Sequence, residues 1–280
     1  MGAGRFRREE APFPRLLAER PPAPVTARGT ATRSLVEPAW HDASMHEDRE
    51  RVLRNLSALR SAIERACEST ARDPRSVGLV AAAKTQSAER IRWVVDAGVT
   101  AVGQNYVREL RDAHEAVPGA RWHFIGALQT GSAHHVASLA DVVETVSDTR
   151  ATERLARRAV EAGREIDALI EVDFTGERVG VAPEEAPALA DHVAALEGLR
   201  LRGLMTIPPL GRTADDARPW FRRLRELCDR IRHNHPDMVD LSMGMSLDYE
   251  AAVEEGATMV RIGTALFGPR GPKAESHATP

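Results

Sequence analysis

Lys84 closes the run Val77-Gly-Leu-Val-Ala-Ala-Ala-Lys-Thr85. Small and apolar residues in a run of this length read as a buried strand, and a lysine at its end reaches into whatever that end faces. Burial disfavours the ammonium form, so a lysine held there becomes a usable amine nucleophile that condenses with carbonyl compounds. A strand-end lysine standing alone is ordinarily a solvated head, so the case rests on its neighbours.

Other polar residues follow strand-like runs in the same way: Asn105, Gln129, Ser242, and Arg261 with Gly263 and Thr264. Asn105, in Gly103-Gln-Asn-Tyr106, reads either as a turn residue bonding its own backbone or as a side chain beside a bound ring. His123, inside Trp122-His-Phe-Ile-Gly126, reads as a satisfied core histidine rather than a catalyst. Leu241-Ser-Met-Gly-Met-Ser246 places glycine and hydroxyl groups between a strand and a helix start, where free backbone N–H groups suit an anion. Val260-Arg-Ile-Gly-Thr-Ala265 offers a second such set with the Thr264 hydroxyl, and together the two loops read as a phosphate site. Arg261 alone would be an ion-pair residue. Beside a pyridine ring it donates to the nitrogen without protonating it, which makes the ring a poorer electron sink.

The elements that must carry these residues alternate along the chain. A helix is expected from about His46 to Ser69, with Val52, Leu53, Leu56, Leu59 and Ile63 at helical spacing. Strands are expected at 77–83, 101–103, 121–126, 142–146, 166–174, 199–207, 238–242 and 258–262. Helices are expected at 87–97, 149–162, 183–195, 215–232 and 247–255, with Ser87, Asp148 and Ser246 as caps. Eight strands alternating with helices imply a parallel sheet. With no glycine-rich dinucleotide fingerprint after the first strand, the pattern predicts a single α/β domain, a (β/α)8 or TIM barrel. The loops after the strands build the active face of such a barrel, and the polar residues above fall in those loops.

Composition narrows the function classes. Hydrophobic residues make up 42% and charged residues 28%, with a net charge of −3. These values describe a soluble protein and give no electrostatic reason to expect nucleic acid or a membrane as a partner. Cys67 and Cys228 lack metal-type spacing and read as reduced thiols of a cytoplasmic protein. His134-His135 reads as a helix surface, His233-Asn-His235 as a helix end, and Glu254-Glu255 as a solvated face. Residues 1–44 carry many arginines and prolines without periodicity and read as a disordered extension. Met45 is then a candidate start, 45–270 the barrel domain and 271–280 a disordered tail.

The chain resembles the pyridoxal phosphate homeostasis proteins, relatives of the N-terminal barrel of alanine racemase. The matching pieces are Ala83-Lys-Thr85, Gly103-Gln-Asn-Tyr-Val107, Trp122-His-Phe-Ile-Gly126 with Leu128-Gln129, and Arg202-Gly-Leu-Met205. The most specific are Leu241-Ser-Met-Gly-Met-Ser246 and Met259-Val-Arg-Ile-Gly-Thr-Ala-Leu-Phe-Gly268. The resemblance implies pyridoxal 5'-phosphate as cofactor, held by Lys84 as an internal aldimine. It implies Asn105 and Met205 flanking the ring, Arg261 at the pyridine nitrogen, and Ser242, Gly263 and Thr264 at the phosphate. Gln104 stands where the family usually has glutamate, Gly131-Ser132 where it often has Asn-Lys, and Arg178 where it has lysine. The implied role is a monomeric carrier in cofactor homeostasis rather than an enzyme, with amino acids as a further ligand class. Two alternatives are a racemase-like enzyme and a cofactor-free aldolase using a lysine amine. Alanine racemases add a C-terminal domain with a tyrosine base. Here Tyr106 and Tyr249 are the only tyrosines, and neither lies in such a segment.

Overall fold

The computed structural model describes residues 39–269. Helix α1 spans Ala39–Ser69 and leads into eight parallel strands. They are β1 (Gly78–Ala82), β2 (Ala101–Gln104), β3 (Arg121–Phe124), β4 (Val142–Val146), β5 (Ile166–Glu171), β6 (Leu199–Met205), β7 (Asp240–Ser242) and β8 (Met259–Ile262). Each pairs with its neighbour in sequence, and β8 pairs back on β1 with Val80 opposite Arg261, which closes the barrel.

Between the strands run α2 (Ala88–Asp96), α3 (Val107–Ala116), α4 (Ala133–Leu139), α5 (Thr149–Glu161), α6 (Ala186–Ala194), α7 (Arg218–Arg232) and α8 (Tyr249–Glu254). After β8 comes α9 (Thr264–Phe267), a single turn. That turn is too short to cover the β8–β1 side. Helix α1 takes the place instead, packing against α8, α9 and α2. Its stripe of Val52, Leu56, Leu59, Ile63 and Cys67 is buried, at the three- and four-residue spacing that lines one helix face.

Several sequence expectations change. Helix α1 begins at Ala39, so Met45 lies within it rather than before it. The expected disorder of 1–38 and 271–280 lies outside the described residues. Ser87 and Asp148 do cap α2 and α5, accepting from Arg90 N at 3.3 Å and Ala151 N at 2.7 Å. Ser246 does not cap α8: that helix starts at Tyr249, and the Ser246 hydroxyl accepts from Ala265 N at 3.0 Å. Glu254-Glu255 is not a solvated face. Glu255 is buried and gathers Arg218, Arg222 and Arg225, while Glu254 pairs with Arg218. The ion pairs come from α7, far along the chain, which local polarity does not register. Both cysteines are free and buried, and burial pushes the Cys228 thiol up to about 11. No described helix is long and apolar enough to cross a membrane.

Candidate functional site

Alternate residues of a strand face the same side of a sheet. On β4 this aligns Val142 with Glu144, on β5 Asp167 with Leu169 and Glu171, and on β8 Met259 with Arg261. Val80, Ala101, Val142, Leu169, Met205 and Met259 form an apolar cluster apart from the main core, as expected for the filled interior of an eight-stranded barrel. One step further toward the strand C-termini, the same lines turn polar.

Arg261 is 4% exposed. Its Nη1 donates to Ser242 Oγ at 2.6 Å and its Nη2 to the Thr206 carbonyl at 2.8 Å. Ser242 Oγ lies 2.6 Å from Glu144 Oε2, and Glu144 Oε1 lies 2.6 Å from His123 Nδ1. Guanidinium only donates and an ionised carboxylate only accepts. The Ser242 hydroxyl must therefore accept from Arg261 and donate to Glu144, so the chain of bonds has one polarity. Burial pushes the Glu144 carboxyl up, but the bond and charge of His123, then Arg261 and Ser242, leave it below the ordinary value. Burial draws the Arg261 guanidinium down against the pull of Glu144, Glu171 and Asp248. Ser242, which the resemblance places at a phosphate, has its hydroxyl committed inside this network.

Lys84 sits two residues past the end of β1 and is half-buried. It is the only lysine among the described residues; the chain's other lysine is Lys273. Its Nζ makes no hydrogen bond or ion pair with the described residues and stands 4.9 Å from the centroid of the Tyr106 ring. Thr85 beside it has φ +65°, a left-handed conformation that costs a side-chain-bearing residue about 1–2 kcal/mol. Two bonds hold it there: Thr85 N donates to Glu109 Oε2 at 3.0 Å, and Thr85 Oγ1 to the Lys84 carbonyl at 2.6 Å. Among the described residues the Asn105 side chain bonds neither its own backbone nor another side chain; its Nδ2 donates to the Ile125 carbonyl at 3.2 Å. Behind it, a Cβ on Gly126 would stand 1.9 Å from the Asn105 carbonyl oxygen, so the ends of β2 and β3 close only around glycine.

The loops after β7 and β8 are tied together. Gly244, with φ +93°, lets the first loop fold onto α8, where a Cβ would meet that of Ala252 at 2.5 Å. Its carbonyl accepts from Arg261 N at 3.0 Å, and Ser246 holds Ala265 N of the second loop. The N–H groups of Gly263 and Thr264 have no partner among the described residues, and Thr264 is exposed. Gly263 leans on β1, its Cβ position 3.3 Å from the Ala82 carbonyl. That contact brings these donors beside the strand that leads to Lys84.

The structure thus joins Met205, Ser242 and Arg261 in one buried interior, and places Lys84, Asn105, Gly263 and Thr264 around its mouth. Gln129 is exposed and serves the start of α4 through its carbonyl. Sequence reasoning missed Glu144, Glu171, Glu109 and Tyr106. Glu144 had a readable signal: a lone carboxylate within an apolar strand needs a buried partner or a function. An uncommitted amine, a buried arginine with N–H donors to spare and two free loop N–H groups match the donors needed by a flat heterocycle bearing an aldehyde and a phosphate.

Comparison with known proteins points the same way. The family model described as alanine racemase, N-terminal domain, matches residues 48–271. A pyridoxal phosphate homeostasis protein of Aquifex aeolicus is 39% identical over 220 residues, covering 77% of this chain and 96% of that protein. The Escherichia coli K12 protein of the same name is 36% identical over 226 residues, covering 78% and 97%. Among solved structures, PipY of Synechococcus elongatus with PLP bound superposes at TM-score 0.66 with 33% identity, covering 74% of this chain and 100% of that one.

Proposed function

Because the chain belongs to the alanine racemase N-terminal domain family, with pyridoxal phosphate homeostasis proteins as relatives, we propose that it binds pyridoxal 5'-phosphate and serves in the homeostasis of that cofactor. When bound, the cofactor supplies an aldehyde that amines capture and a ring that withdraws electrons from the captured group. Lys84 is the amine that holds the aldehyde carbon. Met205 and Asn105 bound the ring, and Arg261 donates to its nitrogen. The N–H groups of Gly263 and Thr264, with the Thr264 hydroxyl, take the phosphate. Ser242 acts from below, as the link between Arg261 and Glu144.

The observation that carries this reading is Lys84 itself: the one lysine of the described fold, with no hydrogen-bond or ion-pair partner there, at the mouth of a barrel whose floor is a buried arginine. The arginine also bears on carriage against turnover. It stays protonated, so it bonds the ring nitrogen without giving it a proton, which limits the carbanion chemistry that racemisation requires.

A second reading, racemase-like turnover, draws on Glu171. This carboxyl lies at the mouth end of β5, opposite Met205 in the sheet register, and burial raises it against the charges of Arg261 and Arg178. A carboxyl so raised could serve as a proton-transfer group. Titration of the purified chain with pyridoxal 5'-phosphate tests the main reading. A yellow absorbance band is expected, with none in Lys84→Ala. A colourless wild type, or a band that survives in Lys84→Ala, would refute it. Rapid loss of the optical activity of L-alanine on the yellow protein would favour the second reading.

A further inference from the structure

We propose that Glu144 is the positioning residue for Arg261: through the Ser242 hydroxyl, it fixes the orientation of the guanidinium that meets the cofactor's ring nitrogen. The inference rests on the reading that pyridoxal 5'-phosphate occupies the mouth of the barrel. It adds a role for two residues that touch no ligand.

The geometry argues for it in three steps. Arg261 is buried and cannot turn to water, so its orientation is set by its acceptors. Among the described residues its side chain has two, the Thr206 carbonyl and Ser242 Oγ, which leave its other N–H donors free. The Thr206 carbonyl belongs to the backbone and is fixed by the fold. Ser242 Oγ is a rotor, and it presents a lone pair to Arg261 only while its proton points elsewhere. Glu144 Oε2 provides that other direction, and the carboxylate is itself held at its far oxygen by His123 Nδ1. The charge matters as well as the bond, since Glu144 Oε2 lies 3.7 Å from Arg261 Nη1. A buried guanidinium without a nearby anion is strongly disfavoured.

Bond and charge separate by substitution. Glu144→Gln keeps the shape: its amide oxygen can still accept from Ser242, and its NH2 can donate to a His123 ring whose proton has moved to Nε2. What it loses is the charge. Ser242→Ala keeps the charge and loses the bond. Titration of both variants and the wild type with pyridoxal 5'-phosphate, followed by absorbance and by tryptophan fluorescence, reads affinity. The pH dependence of the bound chromophore's band reads electrostatics at the ring.

Both variants should lose about tenfold or more in affinity. The pH midpoint of the band should fall in Glu144→Gln, where a negative charge near the site is gone, and stay close to wild type in Ser242→Ala. Asp240→Asn, a buried acid at the opposite end of the barrel, should change thermal unfolding and leave both affinity and midpoint alone. A wild type that turns yellow beside a Glu144→Gln protein with unchanged affinity and midpoint overturns the inference while the function stands. A wild type that takes up no cofactor overturns both. If Glu144→Gln does not fold, Ser242→Ala decides: unchanged affinity there overturns the inference, and a tenfold loss supports it.

Discussion

Strand β5 carries an acid at each end, and the two ends of the barrel treat them differently. Asp167, near the strand's start, takes Arg200 Nε at 2.6 Å and pairs with Arg121. Both arginines reach solvent, with side chains 51% and 36% exposed. Glu171, at the other end, accepts no side-chain hydrogen bond from the described residues, and burial raises its carboxyl. Near it Arg261 is buried yet keeps donors unused, and Lys84 has no hydrogen-bond or ion-pair partner, among the described residues. The difference is one of commitment. At the N-terminal end the bonds of Asp167 are made within the protein, which serves the fold. At the C-terminal end several groups are held in place without partners, a costly arrangement that makes physical sense if something else binds them.

Breaking one arginine at each end tests that comparison, and the largest effect belongs to the enclosed one. Arg261→Leu leaves the buried Glu144 with His123 as its one remaining charged partner among the described residues and should cost about 3–5 kcal/mol in denaturant unfolding, together with cofactor affinity. The next effect is smaller. Asp167→Asn frees two arginines that can turn to water, so about 1 kcal/mol is expected, with cofactor affinity unchanged in the same titration. A loss of affinity there would blur the distinction between the two ends.

The smallest effect concerns Glu171 and pH. Its folded-state pKa is raised, so the native protein binds more protons than the unfolded chain. Stability therefore falls as pH rises from the ordinary carboxylate range, about 4, toward the raised value. Glu171→Gln removes that penalty. The cofactor-free variant should unfold at a higher temperature than wild type at about pH 7, and the two should converge below about pH 4. A constant difference across that range would mean that Glu171 does not titrate with folding.

The fold and half of the site were legible in the sequence for one reason: buried parallel strands read as apolar runs. Val142–Val146 was delimited correctly on that basis; polar residues just beyond such runs marked Lys84 and Asn105, and a charge inside the closing run marked Arg261. Helix α3 was missed because its sequence, Val107–Ala116, is mostly charged and polar, and α4 was read as a helix surface at His134-His135 without its bounds. The network beneath the mouth was hidden for a different reason. Ser242 and Arg261 come from the consecutive strands β7 and β8, but Glu144 comes from β4, and only the closed barrel shows that it meets them. Position alone could place Ser242 at a strand end, but not say which way its hydroxyl points.

The central claim is that Lys84 is the amine that holds the cofactor, and the scarcity of lysine makes a direct test unusually clean. Borohydride reduction of the full chain loaded with pyridoxal 5'-phosphate, followed by peptide mapping, should place one pyridoxyl phosphate mass increment on the peptide containing Lys84 and none on Lys273. Label on Lys273, or an unlabelled Lys84 in a chain that has bound the cofactor, would contradict the account.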